Sequence, residues 1–482
     1  MVNHDVQSGA VRARLAAGSL KTRDAVAISV SILAPGMAML LNVPGVAAVA
    51  GGSTPLAFLL GGCGCLALAF VVVGFTRRMA GAGYAYTYIS RGLGRGWGFL
   101  AGWLYAFGVL CFVPMTMAAV AYLACDLLGL PDGWWSPVFV VGMVALLALA
   151  VVRIAVTTRV QLLLGVLTVA LILVVDVVVT VRGGAQGNTW APFTFGHTVK
   201  GGFSGVFYGI ILGITSYIGF ETAADFGEET DNPRRAIPVA VLTSVILAMA
   251  FYLWTTYGLS IGFGVDNGAT FGGDSFALKT VATRFVGPSL GAMVELGALL
   301  SAFVVCVGCA SAAARTMYAM AREGVLPARL ATLHRRFQTP VVATVAVTVL
   351  GTVLALLVGY GLASTDLGAS PAMSVYYFFA TLGTLVVIVV YIGLCVAAVT
   401  YFRRAEYRAN LALRLLAPVI GTAVFGAALF GSIYPTPTAP LNLTPYLATL
   451  WLLLGIAVLA GLRIRRPDAV ASIGTILGEE GA

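Results

Sequence analysis

The chain is dominated by twelve apolar segments, at about 26–50, 54–75, 97–124, 137–157, 160–181, 203–224, 238–263, 289–314, 341–361, 373–401, 414–433 and 444–462. Each approaches or exceeds the roughly 20 residues that a helix needs to cross the hydrocarbon core of a bilayer. Only 10% of the 482 residues are charged and 60% are hydrophobic. Soluble domains run at about 25% charged and about 45–50% apolar. The pattern excludes an ordinary soluble enzyme, a disordered chain and a disulfide-stapled secreted domain. It predicts an all-α integral membrane protein with twelve transmembrane helices. The first run is too long for a signal-peptide core and reads as a first span.

The net charge of +9 is explained by topology. With the N-terminus inside, 24 of the 28 Lys and Arg residues fall in inside segments, and Arg182, Lys200, Lys279 and Arg284 lie outside or at the outer boundary. Cytoplasmic loops carry such an excess, so both termini are expected in the cytoplasm and no nucleic-acid partner is expected. The 25 Arg against 3 Lys fit a GC-rich bacterial genome, hence the cell membrane. The longest loops, near 183–200, 264–288 and 315–340, are too short to house a catalytic domain. The stretch 83–95 is Tyr-rich and mildly amphipathic and is placed near the inner surface.

Cys63, Cys65, Cys111, Cys125, Cys306, Cys309 and Cys395 all lie in apolar runs, so no oxidised framework is expected. Cys306-x-x-Cys309 has metal or redox spacing, but with no second pair and no His nearby it reads as two small core residues. His4, His197 and His334 all fall outside the spans. Neither a metal nor a cofactor is expected.

Two spans should break. The first contains Ala34-Pro35-Gly36; proline removes a backbone donor and clashes with the preceding turn, and glycine weakens a helix further. A simple kink is the competing reading of this segment alone. The sixth span runs Gly205-x-x-x-Gly209-x-x-x-Gly213 and then Ile214-Thr215-Ser216-Tyr217-Ile218-Gly219-Phe220-Glu221, polar and weakly helical at mid-membrane. Interruptions at corresponding places in two halves point to an inverted-repeat transporter and its binding site. Opened half-helices offer free N–H groups to an anion and free carbonyls to a cation or ammonium.

Three acidic residues fall inside spans. Glu221, just past the second break, is a candidate for proton uptake, gating or tying spans 1 and 6, against a structural carboxylate bonded to broken backbone. Asp176 and Glu295 read as solvated or packing groups nearer the outer ends. Asp225, Glu228, Glu229 and Asp231 face Arg234 and Arg235 in sequence, as a cytoplasmic gate network or a solvated loop.

The run from Gly219 through Glu221, Asp225 and Glu228 to Pro238 closely resembles the sixth-span signature of the amino acid–polyamine–organocation (APC) permeases. Arg77 to Tyr86, Gly98 to Trp103 and Arg315 to Pro327 resemble other family motifs. The resemblance implies a LeuT-type fold of five plus five inverted helices with discontinuous helices 1 and 6 and two appended helices. The divisions are then 1–25 cytoplasmic, 26–182 first repeat, 201–402 second repeat, 403–463 helices 11 and 12, and 464–482 cytoplasmic tail. It implies alternating-access transport of an amino acid, coupled to a proton or sodium gradient, with a polyamine importer or an antiporter as alternatives.

By the same resemblance the substrate carboxylate would meet Ala34, Pro35, Gly36 and Met37, where Pro35 donates no N–H. The amino group would meet carbonyls near Ser31 and around Ser216, Tyr217 and Ile218, with Tyr217 or Phe220 as an aromatic lid. The Pro-containing break is similar to that of a branch that includes putrescine importers. Thr168 stands where some proton-linked members carry Lys, and Thr215 and Cys309 stand where arginine/agmatine exchangers carry Trp. Thr168 and Ser311 could leave room for a cation site with span 1 carbonyls. The small residues Ala34, Gly36, Thr215, Ser216, Gly219 and Cys309 predict room for a medium or large side chain, with Tyr105 or Tyr217 contributing a face. A membrane enzyme would need a metal cluster, a nucleophile–base pair or paired carboxylates at one depth. A channel would show a filter segment or charged rings. Neither pattern is visible.

Overall fold

The computed structural model describes residues 21–79, 84–152, 158–226, 230–322, 326–333, 339–362, 370–404, 409–434 and 437–465. These residues are helical, with no β-strand among them. Ten helical stretches are long and apolar enough to cross a membrane, and Gly202–Tyr217 is a shorter apolar helix. One of the ten, Pro35–Thr76, joins the first two predicted segments.

The first segment is broken where Pro35 and Gly36 stand. Helix α1 (Thr22–Ile32) stops, Ala34 adopts a left-handed conformation at φ 44° and ψ 55°, and α2 (Pro35–Met37) starts with proline in its first turn. Proline suits that position because its missing N–H has no helical partner there. A π-helical turn, Ala38–Asn42, then leads into α3 (Val43–Ala50), and a 3-10 turn at Gly51–Ser53 into α4 (Thr54–Thr76). Helix α5 (Tyr84–Leu93) packs on α6 (Arg95–Leu127) and buries Tyr84 and Tyr88.

Helices α7 (Trp135–Val152) and α8 (Thr158–Arg182) follow. The second break follows α9 (Gly202–Tyr217): Ile218 is extended, and Gly219 takes φ 114°, which glycine alone adopts without strain. A 3-10 segment, Phe220–Phe226, resumes the chain. Helix α10 (Pro233–Phe263) precedes two short connecting helices, α11 (Gly268–Gly273) and α12 (Ala277–Phe285). The remaining elements are α13 (Pro288–Arg322), α14 (Val341–Gly361), α15 (Pro371–Arg403), α16 (Ala417–Gly431) and α17 (Thr444–Arg465).

Helix α6 is the central post and packs most heavily on α15 and α13. Its partners bury long apolar runs such as Met373–Ile388 of α15, whereas α7, α8 and α17 keep rows of Val and Leu exposed. Such rows are normal where lipid is the solvent.

Candidate functional site

A cavity lies between the two breaks, closed by α6 and α13. Its walls include Leu33, Met37, Ala38 and Asn42 from the first break, and Thr215, Ser216, Ile218, Gly219, Glu221 and Thr222 from the second. Helix α6 adds Tyr105, Val109, Phe112, Met115 and Thr116, and α13 adds Val305, Gly308, Cys309 and Ala312.

Asn42, Ser216, Thr215 and Thr116 of this wall are bonded to the protein itself. Tyr376 Oη donates to Asn42 Oδ1 at 2.7 Å, and Asn42 Nδ2 donates to Ser216 Oγ at 2.8 Å, tying α15, the π-helical turn and α9 together. Thr215 Oγ1 shares a 2.7 Å bond with Thr384 Oγ1, and Thr116 Oγ1 donates to Phe112 O. Tyr252 on α10 reaches both breaks: its hydroxyl lies 2.8 Å from Ser216 O and 3.3 Å from Leu33 O.

Glu221 is fully buried. Tyr391 Oη donates to its Oε1 at 2.7 Å, and the Gly219 N–H donates to its Oε2 at 3.0 Å. Broken backbone thus supplies one of its donors, and among the described residues these bonds tie the second break to α15. These two donors offset part of the cost of burying a carboxylate away from water. Tyr105 of α6 lines the same cavity.

The structure brings Met37, Tyr105, Thr215, Ser216, Ile218, Gly219, Glu221 and Cys309 to one cavity. Ala34, Pro35 and Gly36 form the break behind it. Tyr217 is no lid: it points away, its hydroxyl donating to Phe58 O at 3.2 Å. Phe220 is buried against Tyr391, with ring centroids 6.3 Å apart. The side chains of Ser31 and Asp225, and residues Glu228 and Glu229, lie outside the described residues.

Thr168 and Ser311 do not form one site. Thr168 is wedged between Gly36 and Gly297, where a Cβ on Gly297 would stand 2.5 Å from its Oγ1. Ser311 is fourteen residues beyond Gly297 on α13, about 21 Å along the helix. Each hydroxyl donates to the carbonyl four residues before it, as hydroxyls in helices commonly do.

Asp176 and Glu295 are not solvated; they are 1% and 0% exposed. Glu295 forms an ion pair with Lys279 on α12 at 2.7 Å, and Lys279 also meets Asp126 at 2.5 Å. Burial alone would lower the Lys279 ammonium, but the bonds to these two carboxylates outweigh it and hold the group above its ordinary range. Asn42, Tyr252, Tyr376 and Tyr391 carried no local sequence signal, because each earns its place through a partner over thirty residues away.

Residues 20–459 match the profile of the amino acid permease family. The chain belongs to that family. Membership bears out the resemblance to the APC permeases and sets the chain among membrane transport proteins rather than enzymes. Among curated relatives of this permease, the "Branched-chain amino acid permease BcaP" of Bacillus subtilis (strain 168) is 26% identical over 317 residues, 62% of this chain and 66% of that one. The "Methylthioribose transporter" of the same organism is 26% identical over 317 residues, 60% of this chain and 64% of that one. Its "Serine/threonine exchanger SteT" is 27% identical over 292 residues, 60% of this chain and 64% of that one. The permease thus matches slightly less than two thirds of the length of each.

Proposed function

We propose that the protein is a secondary active transporter carrying an amino acid with an apolar side chain across the bacterial cell membrane by alternating access. Family membership supports the transport class, and the names of the relatives range over branched-chain amino acids, serine or threonine, and a thiosugar. The choice among substrates therefore rests on the chemistry of the cavity.

The observation that carries the reading is the state of Glu221. It is the only carboxylate among the described residues of the wall, and each of its oxygens already accepts a hydrogen bond, from Tyr391 and from the Gly219 N–H. A polyamine or a cationic side chain would need a desolvated anion here and would find none uncommitted. The zwitterionic head of an amino acid needs no such group. Its carboxylate meets the first-turn N–H groups of Gly36 and Met37, which have no intrahelical acceptor. Its ammonium meets the helix-end carbonyls at Tyr217 and Ile218. Its side chain lies among Val109, Phe112, Met115, Val305 and Cys309.

The membrane arrangement goes with this reading. The Pro35–Thr76 stretch has 42 residues, about 63 Å of helix at 1.5 Å per residue. That is about twice the 30 Å hydrocarbon thickness, so it makes two crossings with the turn at Gly51–Ser53. Counting α9 with its 3-10 continuation as one more gives twelve crossings, arranged as a five-plus-five inverted repeat with two further helices. The distribution of Lys and Arg supports cytoplasmic termini.

Equilibrium binding of radiolabelled leucine to purified protein tests the specificity. Isoleucine, valine and methionine are expected to compete, and putrescine and arginine are not. Displacement by putrescine at equal concentration would overturn the assignment.

A further inference from the structure

Three carboxylates among the described residues are buried in membrane-spanning helices or their breaks, and they differ in what faces them. Glu221 has the Tyr391 hydroxyl and the Gly219 N–H. Glu295 has the Lys279 ammonium. Asp176 has one neutral hydroxyl: Thr255 Oγ1 on α10 donates to its Oδ2 at 2.7 Å. Its Oδ1 faces the Gly258 backbone, where a Cβ would stand 3.3 Å away.

No cation among the described residues reaches Asp176, and the charged groups on the elements packed against α8 are committed elsewhere or far along their helices. On α12, Lys279 is held by Asp126 and Glu295, and Arg284 Nη1 donates to Gly262 O at 3.3 Å. Arg182, on α8 itself, donates to Phe285 O at 2.8 Å. On α13 and α10, Arg315, Arg322, Arg234 and Arg235 stand at the far ends, as Arg23 does on α1, and Tyr257 on α10 donates to Asn188. Glu295, on α13, is the remaining anion of that surface.

An uncompensated carboxylate in a dry interior sheds its charge by binding a proton. The seam holding Asp176 runs on from the residues that touch the breaks, about 12 Å along α8 from Thr168 and about 4.5 Å along α10 from Tyr252. Thr168, Ile172 and Asp176 follow at four-residue steps on one face of α8, and Thr168 is the side chain wedged against Gly36. On α10, Thr255 comes three residues after Tyr252, whose hydroxyl reaches Leu33 O and Ser216 O.

We infer that Asp176 is the proton-binding site that couples this transporter to the proton gradient; this rests on the transport reading above. The carboxylate takes one proton from the side of Arg182, six residues or about 9 Å away, and becomes a neutral acid that the closed α8–α10 seam accepts. Loss of that proton to the other side places a charge in the seam, which must open to water to solvate it. Opening draws Thr168 off Gly36 and Tyr252 off the two breaks, so proton release and rearrangement of the broken segments occur together.

The test uses full-length protein in proteoliposomes with radiolabelled leucine as probe and lumenal pyranine as pH reporter. Wild type is expected to accumulate leucine under an inward proton gradient while the lumen acidifies. Asp176→Asn keeps the acceptor for Thr255. It is expected to retain leucine counterflow at equal pH within about threefold and to lose gradient-driven accumulation by at least about tenfold, with no acidification. Accumulation with acidification in Asp176→Asn would overturn the inference, as would wild-type accumulation without proton movement. Should Asp176→Asn fail to fold, Thr255→Val decides: it removes a donor to the charged form and displaces the pH midpoint of accumulation upward, whereas an Asp176 that only packs leaves the midpoint in place. Absence of wild-type counterflow would instead refute the transport reading itself.

Discussion

Replacing Gly36 with alanine perturbs the first break at its tightest point. The backbone there is compatible with alanine, so the cost is steric. An added Cβ would collide with Thr168 Cγ2 and stand 3.3 Å from Thr168 Cβ. Thr168 has nowhere to go: Gly297 closes its other side, its hydroxyl is bonded to Leu164 O at 2.8 Å, and a β-branched side chain in a helix has few rotamers. Overpacking of this kind costs about 1–3 kcal/mol, and a pinned neighbour places it near 2–3. At 1.4 kcal/mol per decade that is about a 30- to 150-fold loss of uptake at subsaturating substrate. Thr168→Ser removes the colliding methyl and keeps the hydroxyl, so alone it changes uptake by less than about threefold. The double variant recovers most of the loss, with a coupling energy of about 1.5–3 kcal/mol. Initial leucine uptake by the four proteins, normalised to reconstituted amount, completes the cycle. A Gly36→Ala protein as active as wild type, or a double variant no better than Gly36→Ala, would refute the wedge.

Tyr391→Phe removes a 2.7 Å charge-assisted bond from buried Glu221 and is expected to lower leucine uptake by about 10- to 100-fold, from about 1.5–3 kcal/mol; initial-rate assays on protein of unchanged elution profile check it. Asn42→Ala strands Tyr376 Oη inside the protein and takes from Ser216 Oγ the donor it accepts, and is expected to cost about 1–3 kcal/mol, read as a lower unfolding temperature in detergent. Cys309 lines the cavity, so saturating leucine is expected to slow its alkylation, which mass spectrometry of the modified peptide follows. Lys279 is held above its ordinary ionisation range by Asp126 and Glu295. Its stabilisation is therefore complete at neutral pH and is lost only as pH rises through its own titration. The unfolding temperature is expected to fall at alkaline pH in wild type, and Lys279→Met, less stable throughout, lacks that step.

Both breaks were legible in the sequence because their causes are local. Pro35 followed by Gly36 removes a donor and weakens the helix at one point, and Gly219 supplies the positive φ at which the sixth segment turns. The burial of Glu221 followed from its place in an apolar run. The direction of Tyr217 was not legible, since it depends on a gap at Gly62 in another helix, where a Cβ would stand 2.7 Å from the tyrosine hydroxyl. The π-helical turn at Ala38–Asn42 was also hidden: it places Asn42 between Ser216 and Tyr376, partners 174 and 334 residues away. Asp176 looked like an outer-end residue by its distance to Arg182, and only the packing of α10 over it reveals that it is dry. Local chemistry announces where a helix must fail, whereas the seams that hold the failed segments in place are made by tertiary pairing.

On the reading proposed above, the cavity between the breaks carries an amino acid with an apolar side chain. Counterflow tests it most directly: proteoliposomes preloaded with unlabelled leucine, diluted into labelled leucine or labelled putrescine. The predicted result is saturable, accelerated uptake of leucine and none of putrescine. Accelerated uptake of putrescine in putrescine-loaded vesicles, with leucine inert, would contradict it.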